Sequence, residues 1–457
     1  MKRGTTRGAT RGASHRWKVL GVGFAANVSF AAAFGGIPAT AVVLRADYRL
    51  GTGELGFVLG MLGLGIVLSE LPWGLLTDRW GDRRVLLTGL GTTALALAVM
   101  ALWGAPTPAH VPAPTTLALG LLALGLLGGS VNGSSGRAVM TWFAARERGL
   151  AMSIRQTAVP AGGGLGALVL PALAVHAGFA AVFGVLAALC LVALALTFVW
   201  LHEPAAEPGN ANATQSETAP AVSPLRSAPV WRMVIGIGAL CMPQVAVLSF
   251  ASIFLHDVGR AGTVAVSATL FAVQGGAAFM RVWSGRWTDR RGNRGAYLRG
   301  CAALTVTLFA VLAVQSGFAS HGHAAHGVVV AAMALVLVLG GVAASAWHGV
   351  AFTELATLAG NGRVGTALAM GNTGAFIAFW VAPSAIPALL AWHAWPAVWS
   401  AAALCAALAW PAFAGPRNAN AAHGEDTGRR FDRRNRGVEA IKIDALDTIT
   451  RISPPRV

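Results

Sequence analysis

Apolar residues run through this chain in long blocks separated by short charged loops. An α-helix needs about 20 apolar residues to cross the hydrocarbon core of a bilayer. Twelve such blocks can be marked, six over residues 17–42, 53–76, 84–104, 115–143, 150–175 and 179–201, and six over 230–255, 263–285, 296–315, 327–355, 364–390 and 395–414. Residues 202–229, between the two sets, are rich in Ala, Pro, Asn, Ser, Thr and Glu and show no periodic apolar face, which is a linker composition. The expectation is an all-α integral membrane protein of twelve transmembrane helices. They form two pseudo-symmetric six-helix bundles over residues 17–201 and 230–414, with terminal tails over 1–16 and 415–457.

Composition agrees. The 457 residues are 55% hydrophobic and 11% charged, against about 25% charged in a soluble domain. The net charge of +16 does not point to nucleic acid, because Lys and Arg sit in the tails and in alternate loops. This asymmetry puts both termini, both copies of the motif described below, Arg146, Arg148, Arg226 and Arg363 in the cytoplasm, and leaves Arg45, Arg49 and Arg260 outside. The basic start, Lys2 to Lys18, is read as a cytoplasmic tail, since the apolar run after it is too long for a secretion signal. Cys190, Cys241, Cys301 and Cys405 all fall in apolar stretches and read as packing residues without disulfides.

One motif occurs twice, 211 residues apart: Gly74-Leu-Leu-Thr-Asp78-Arg79-Trp-Gly81-Asp82-Arg83-Arg84, then Gly285-Arg-Trp-Thr-Asp289-Arg290-Arg-Gly292-Asn293-Arg294-Gly295. Each copy ends one apolar block and starts the next. The repeat extends further. Gly128-Gly129 parallels Gly340-Gly341, and Gly149 to Gln156-Thr157 parallels Gly365 to Asn372-Thr373. Related halves of this kind are how many transporters are built.

The chain resembles a bacterial member of the major facilitator superfamily over residues 17–414. The family signature Gly-x-x-x-Asp-Arg-x-Gly-x-Arg-Arg is matched in full by Gly74 to Arg84, and less well by the second copy, which has Gly295 in the last basic place. Trp142-Phe143, Arg146 to Gly149 and Gln156-Thr157 resemble the organic-anion and cyanate-permease-like branches. The resemblance implies a latch at the motif that closes the cytoplasmic side when the outer side is open. Pro160 with Gly162, Gly163, Gly164 and Gly166 partly resembles the family's antiporter-associated span. Val159 and Arg155 replace its glycines, however, and Leu121 stands near the place of an arginine often used in proton coupling; these departures weaken a proton–drug antiporter reading.

Physical chemistry gives the motif a reason. Gly74 and Gly285 let two helices approach closely. Asp78 and Asp289 sit at helix C-termini, where a carboxylate needs positive charge from arginines or from the N-terminus of a helix in the opposite half. A topogenic basic loop is the plainer alternative. Among ionisable residues within the spans, Glu70 with Arg137 and Arg281 with Glu354 are expected to form ion pairs inside each half, with structural or gating roles.

Arg155 has no counterpart in the second half, where Gly371 stands. It is either an anchor gripping a carboxylate in two-pronged geometry, or an arginine reaching back to the interface. Asn27, Asn132, Gln156, Gln244, Gln274, Trp347, His348 and Asn372 complete the candidate substrate site. Each taken alone reads more simply as an interhelical hydrogen bond, His348 included. His321, His323 and His326 lack an accompanying acid or Cys and read as a solvated loop. Neither a nucleotide-binding loop nor a nucleophile–base pair stands out, so no cofactor and no enzyme activity are expected.

The expectation is a secondary transporter of the bacterial inner membrane, working as a monomer by alternating access on a small solute and coupled to a proton or ion gradient. No Asp or Glu lies at mid-depth in a span, which favours an anion or a neutral solute. A drug or metabolite exporter of the same fold and a non-transporting sensor or scaffold remain as alternatives.

Overall fold

The computed structural model describes residues 5–202, 223–259, 263–320, 327–360 and 362–414. The rest of the linker, Arg260, the cluster His321, His323 and His326, and the tail 415–457 lie outside the described residues. Within them the chain is helical and has no strand. A backbone in hydrocarbon must satisfy its own hydrogen bonds, and a helix does so locally.

The first half contains α1 (Thr5–Ala39), the short α2 (Ala41–Asp47), α3 (Thr52–Trp80), α4 (Asp82–Val99) with a terminal π turn, α5 (Pro114–Gly128), α6 (Ser130–Trp142), α7 (Arg148–Gln156) and α8 (Ala158–Trp200). The second half contains α9 (Ala228–Gly259), α10 (Thr263–Arg291), α11 (Arg294–Ser320), α12 (Gly327–Ala343), α13 (His348–Ala359) and α14 (Val364–Ala412). Nine helical stretches among the described residues are long and apolar enough to cross a membrane. Two of these hold two spans each, α8 dividing at Gly178 (φ 73°) and α14 at His393–Ala394. With α10, whose apolar run is diluted by Arg281, Arg286 and Asp289, the twelve expected spans are accounted for.

Two features depart from the sequence expectation. Spans 2 and 8 run on past residues 76 and 285 to Trp80 and Arg291, and Asp78 and Asp289 lie in their last helical turns, the helix C-termini expected for them. Spans 4, 5 and 10 are broken at mid-depth, at Gly129, Thr157 and residues 344–347. For span 5 the cause is Pro160, which has no N–H to offer the carbonyl of Gln156 four residues earlier.

Within the first half, α1 packs along α8 and α3 along α5; in the second, α9 and α11 pack on α14. Between halves, α3 lies on α14 and α10 on α7, a matched pair of contacts. The α1–α8 contact uses the glycine run of span 5. A side chain at Gly162 or Gly166 would overlap the backbone of α1, whereas Gly164 faces open space. Away from the motif, Tyr48 donates to the Gly104 carbonyl at 2.7 Å, pinning the loop between the first two spans, and burial pushes its phenol pKa up.

Candidate functional site

At the motif face the two halves are tied by two equivalent contacts. Asp78 Oδ1 accepts from the backbone N–H of Gly365 (2.8 Å), and its Oδ2 accepts from the N–H (2.8 Å) and hydroxyl (2.6 Å) of Thr366. Asp289 Oδ1 accepts from Gly149 N–H (3.0 Å) and its Oδ2 from Leu150 N–H (2.8 Å). Each carboxylate thus caps the first turn of a helix in the opposite half, α14 or α7, where free N–H groups and the helix dipole favour negative charge. A Cβ at Gly365 or Gly149 would overlap the carboxylate it holds, and one at Gly74 or Gly285 would overlap the backbone of the same helix. Gly81 and Gly292 take positive φ, 87° and 63°, to turn the chain after each copy.

The motif arginines divide. Arg79, Arg84 and Arg290 are exposed. Arg83 bonds the Phe198 carbonyl at 3.2 Å, and Arg294 bonds Asp289 at 3.0 Å.

The expected ion pairs are rearranged. Arg137 lies not at Glu70 but between Asp78 (3.9 Å) and Asp82 (3.7 Å), and Glu354 faces Arg294 (3.7 Å) instead of Arg281. The reason is depth. Glu70 and Arg281 each lie eight residues before their motif Asp, roughly 12 Å further in along the helix. Arg137 and Glu354 stay at the level of the motif carboxylates.

Further in, a polar cluster gathers from both halves. Arg155, 3% exposed, sends Nε to Ser135 Oγ (3.0 Å) and Nη2 to Ser135 Oγ (2.7 Å), the Asn132 carbonyl (2.6 Å) and Asn27 Oδ1 (3.3 Å). Among the described residues its Nη1 meets only the Met152 sulfur, at 3.8 Å, a weak acceptor. Asn27 donates to Ser135 Oγ at 2.9 Å. Asn132 donates to Glu70 Oε1, and Glu70 is fully buried within electrostatic reach of Arg155. Asn372, from α14 of the other half, faces the same carboxyl.

A second buried cation lies beside this cluster. Arg281 donates to the Ser345 carbonyl (2.8 Å) and, across the boundary between halves, to the Gln156 carbonyl (3.0 Å); its Nη2 lies 3.4 Å from His348 Nδ1. The Gln156 carbonyl is the one Pro160 leaves without a helical partner, and the Ser345 carbonyl lies in the break of span 10. Among the described residues neither Arg155 nor Arg281 has a carboxylate within ion-pair distance.

The structure therefore brings together Arg155, Asn27, Asn132 and Asn372. Gln156, His348 and Trp347, the last stacked on His348 at 3.9 Å, form the adjoining Arg281 group. Gln244 is buried but bonds locally with Cys241, and Gln274 is half-buried on α10; neither enters the cluster. Sequence reasoning missed Ser135, the acceptor shared by Arg155 and Asn27. Its place three residues after Asn132, on the same helix face, was the available signal.

Above the cluster, away from the motif, Phe30 and Phe34 of α1 meet Phe376 and Phe379 of α14. Edge-to-face contacts join the halves here, Phe34–Phe376 at 5.2 Å being the closest. Beyond these rings an apolar groove of about 770 Å³ runs between α3 and α14, lined by Leu59, Val67, Phe379 and Trp380 among others.

The family model described as Major Facilitator Superfamily matches residues 22–338. The chain belongs to the major facilitator superfamily. An uncharacterized MFS-type transporter of Mycobacterium tuberculosis is 30% identical over 408 residues, covering 86% of this chain and 83% of the relative. A probable anion transporter of Oryza sativa subsp. japonica is 27% identical over 194 residues, 39% of this chain and 44% of its own. Among solved structures, the proton:xylose symporter XylE superposes with a TM-score of 0.69 at 16% identity, covering 87% of this chain and 95% of that one. The human organic anion transporter MFSD10 gives 0.68 at 15% identity, covering 87% and 99%. At these identities the structures show the shared fold. Family and fold make this major facilitator a membrane-spanning transporter and not an enzyme.

Proposed function

We propose that the protein is a secondary active transporter that carries a small organic or inorganic anion across the bacterial inner membrane, as a monomer with both termini in the cytoplasm, driven by a proton or ion gradient. The observation that carries this reading is Arg155, a buried guanidinium whose Nη1, among the described residues, has only a thioether for a partner. A carboxylate or phosphate oxygen is a far stronger acceptor for that group than sulfur. The expectation that no carboxylate lies deep in a span is not met, since Glu70 is buried in the cluster; two buried arginines, Arg155 and Arg281, against this one carboxyl still leave an excess of cations for an anion to offset. The rice relative's name agrees in class, over less than half of either chain.

Transport on this reading proceeds by rocking the halves about the cluster. The capped carboxylates hold the motif face, assigned to the cytoplasm, shut; parting the four phenylalanines opens the other side.

The test is a melting-temperature screen of the purified protein against carboxylates, inorganic phosphate, neutral sugars, amino acids and organic cations, with Arg155→Ala in parallel. Stabilisation by an anion that vanishes in the variant supports the anchor. Stabilisation by cations, or anion binding unchanged in the variant, rejects it. The apolar groove beside α14 favours a second reading, efflux of an amphipathic metabolite; organic cations or long-chain amphiphiles as the stabilising class would bring that reading forward.

A further inference from the structure

We propose that the anion carried by this transporter is amphipathic, a monocarboxylate whose head is held by Arg155 and whose apolar tail lies in the groove between α3 and α14. The inference rests on the anion reading above and adds to it the chemistry of the substrate's body.

The groove and the cluster belong to one seam. On α3, Gly60, Gly63, Val67 and Glu70 follow at spacings of three and four residues, which is a single helix face. Glu70 stands in the cluster, and the other three line the groove. On α14 the same spacing joins Asn372, which faces Glu70, to Phe376 and Phe379 of the groove. On α1 it joins Asn27, which bonds Arg155, to Phe30, Phe34 and Pro38. Each face is polar at the cluster and apolar beyond it. The ring contacts Phe30–Phe376 and Phe34–Phe376 lie at the changeover.

The groove suits a slender apolar body. A Cβ at Gly60 or Gly63 would meet nothing within 4 Å, so open space reaches the backbone of α3 there. Ile377 and Trp380 of α14 face that space. Ser249 is the one polar side chain among the lining residues, and none of them is charged. An ionised group would be out of place here, whereas an acyl or aryl chain is favoured. Arg155 makes the opposite demand, for a charged acceptor at Nη1.

The two demands are set apart by a definite distance. From Asn27 to Phe34 is seven residues, roughly 10 Å of helix. An extended chain of carbon–carbon bonds advances about 1.3 Å per carbon, so about eight carbons carry a tail from the head to the groove. A bilayer lipid entering from the side keeps its headgroup at the membrane surface and leaves Arg155 unserved. A short acid serves Arg155 and leaves the rings in contact. A longer acid does both, and its tail replaces ring contacts that rocking of the halves must part.

The experiment uses full-length wild type, Arg155→Ala and Gly60→Leu in bilayer nanodiscs. Leucine at position 60 suits a helix and fills the floor of the groove without an overlap at its Cβ. The probes are acetate, butyrate, hexanoate, octanoate, decanoate and dodecanoate, with decanol and decylammonium as uncharged and cationic matches. Apparent affinity is read from melting-temperature shifts. For wild type it is expected to stay flat through hexanoate and then to rise about threefold per added methylene. Gly60→Leu should weaken dodecanoate about tenfold and leave acetate unchanged. Arg155→Ala should weaken every acid to the level of decanol. Dodecanoate brominated at its last carbon should quench tryptophan fluorescence in wild type, and Trp380→Phe should remove most of that quenching; this measurement decides if Gly60→Leu fails to fold.

An affinity independent of chain length overturns the proposal and leaves the anchor standing. So does a rise unchanged by Gly60→Leu, the mark of a tail lying in the bilayer, or quenching that persists in Trp380→Phe. Decanol or decylammonium bound as tightly as decanoate also overturns it, and gives the groove to the efflux reading. If no acid of any length binds in a way that depends on Arg155, the anion reading itself falls, and this proposal with it.

Discussion

Arg281 donates its Nη1 to the carbonyl oxygen of Gln156 across the boundary between the halves, at 3.0 Å. The bond exists because Pro160 withholds the N–H that would otherwise occupy that carbonyl, and because the break in span 10 offers the Ser345 carbonyl to the same guanidinium. A cation is thereby fastened at the C-terminus of α7, the favourable end of a helix dipole.

Replacing Arg281 by Met should remove this strut while keeping side-chain bulk. Two buried carbonyls then lose a charged donor, each worth about 1.5–3 kcal/mol. Hydrogen–deuterium exchange is expected to rise at α7 and α13 and to stay unchanged at α1 and α5. Unchanged exchange at α7 would show that the contact carries no weight.

The two carboxylate caps should contribute alike. Asp78→Asn and Asp289→Asn each leave one neutral acceptor for two backbone N–H groups and turn an amide donor toward the other, a loss of about 1–3 kcal/mol apiece. The variants are expected to lower the melting temperature by similar amounts. The double variant should show nearly the sum, because the sites share no partner. A large effect at one site alone would mean that only one cap matters.

Within span 5, Gly166→Ala and Gly164→Ala make a matched pair. The first drives a methyl into the backbone of α1 and should destabilise by about 1–3 kcal/mol. The second meets nothing and should be neutral or stabilise by up to about 1 kcal/mol. Thermal unfolding of the two proteins in one detergent is the measurement, and equal melting temperatures would contradict the packing described.

Much of this was legible in the sequence. Span number, the two halves and the close approach at Gly74 and Gly285 follow from apolar block length and from glycines at fixed offsets. The repeat also paired Gly149 with Gly365, the two residues that receive the motif carboxylates. The partners of Glu70 and Arg281 were not legible, because an ion pair depends on depth along tilted helices and spacing within one span does not fix its register against another. The broken spans were hidden for a related reason. Gly129 stands where the apolar run gives way to Ser130-Val-Asn132-Gly-Ser-Ser135, a change of composition that does not by itself signal a break, residues 344–347 sit in a run of small residues, and only Pro160 marks its break. Ser135 was passed over because a serine among Gly and Ser in a span reads as packing until an arginine from another helix is found on it.

Phe34→Ala and Phe376→Ala should weaken the aromatic contact between α1 and α14, at about 0.5–1.5 kcal/mol per ring pair beyond area burial. Exchange of α1 and α14 amides near the cluster is expected to accelerate, while the motif ends of α7 and α14 remain protected. Equal acceleration at both ends would mean that the halves do not move as units about the cluster.

The carboxylate caps have a consequence for how the chain tolerates change. Asp78 and Asp289 are received by the backbone N–H groups of Gly365, Thr366, Gly149 and Leu150. A backbone donor survives every substitution except proline. The tie between the halves therefore depends on the identity of the two aspartates and on room for them at Gly365 and Gly149, while Leu150 is free to vary in side chain without loosening it.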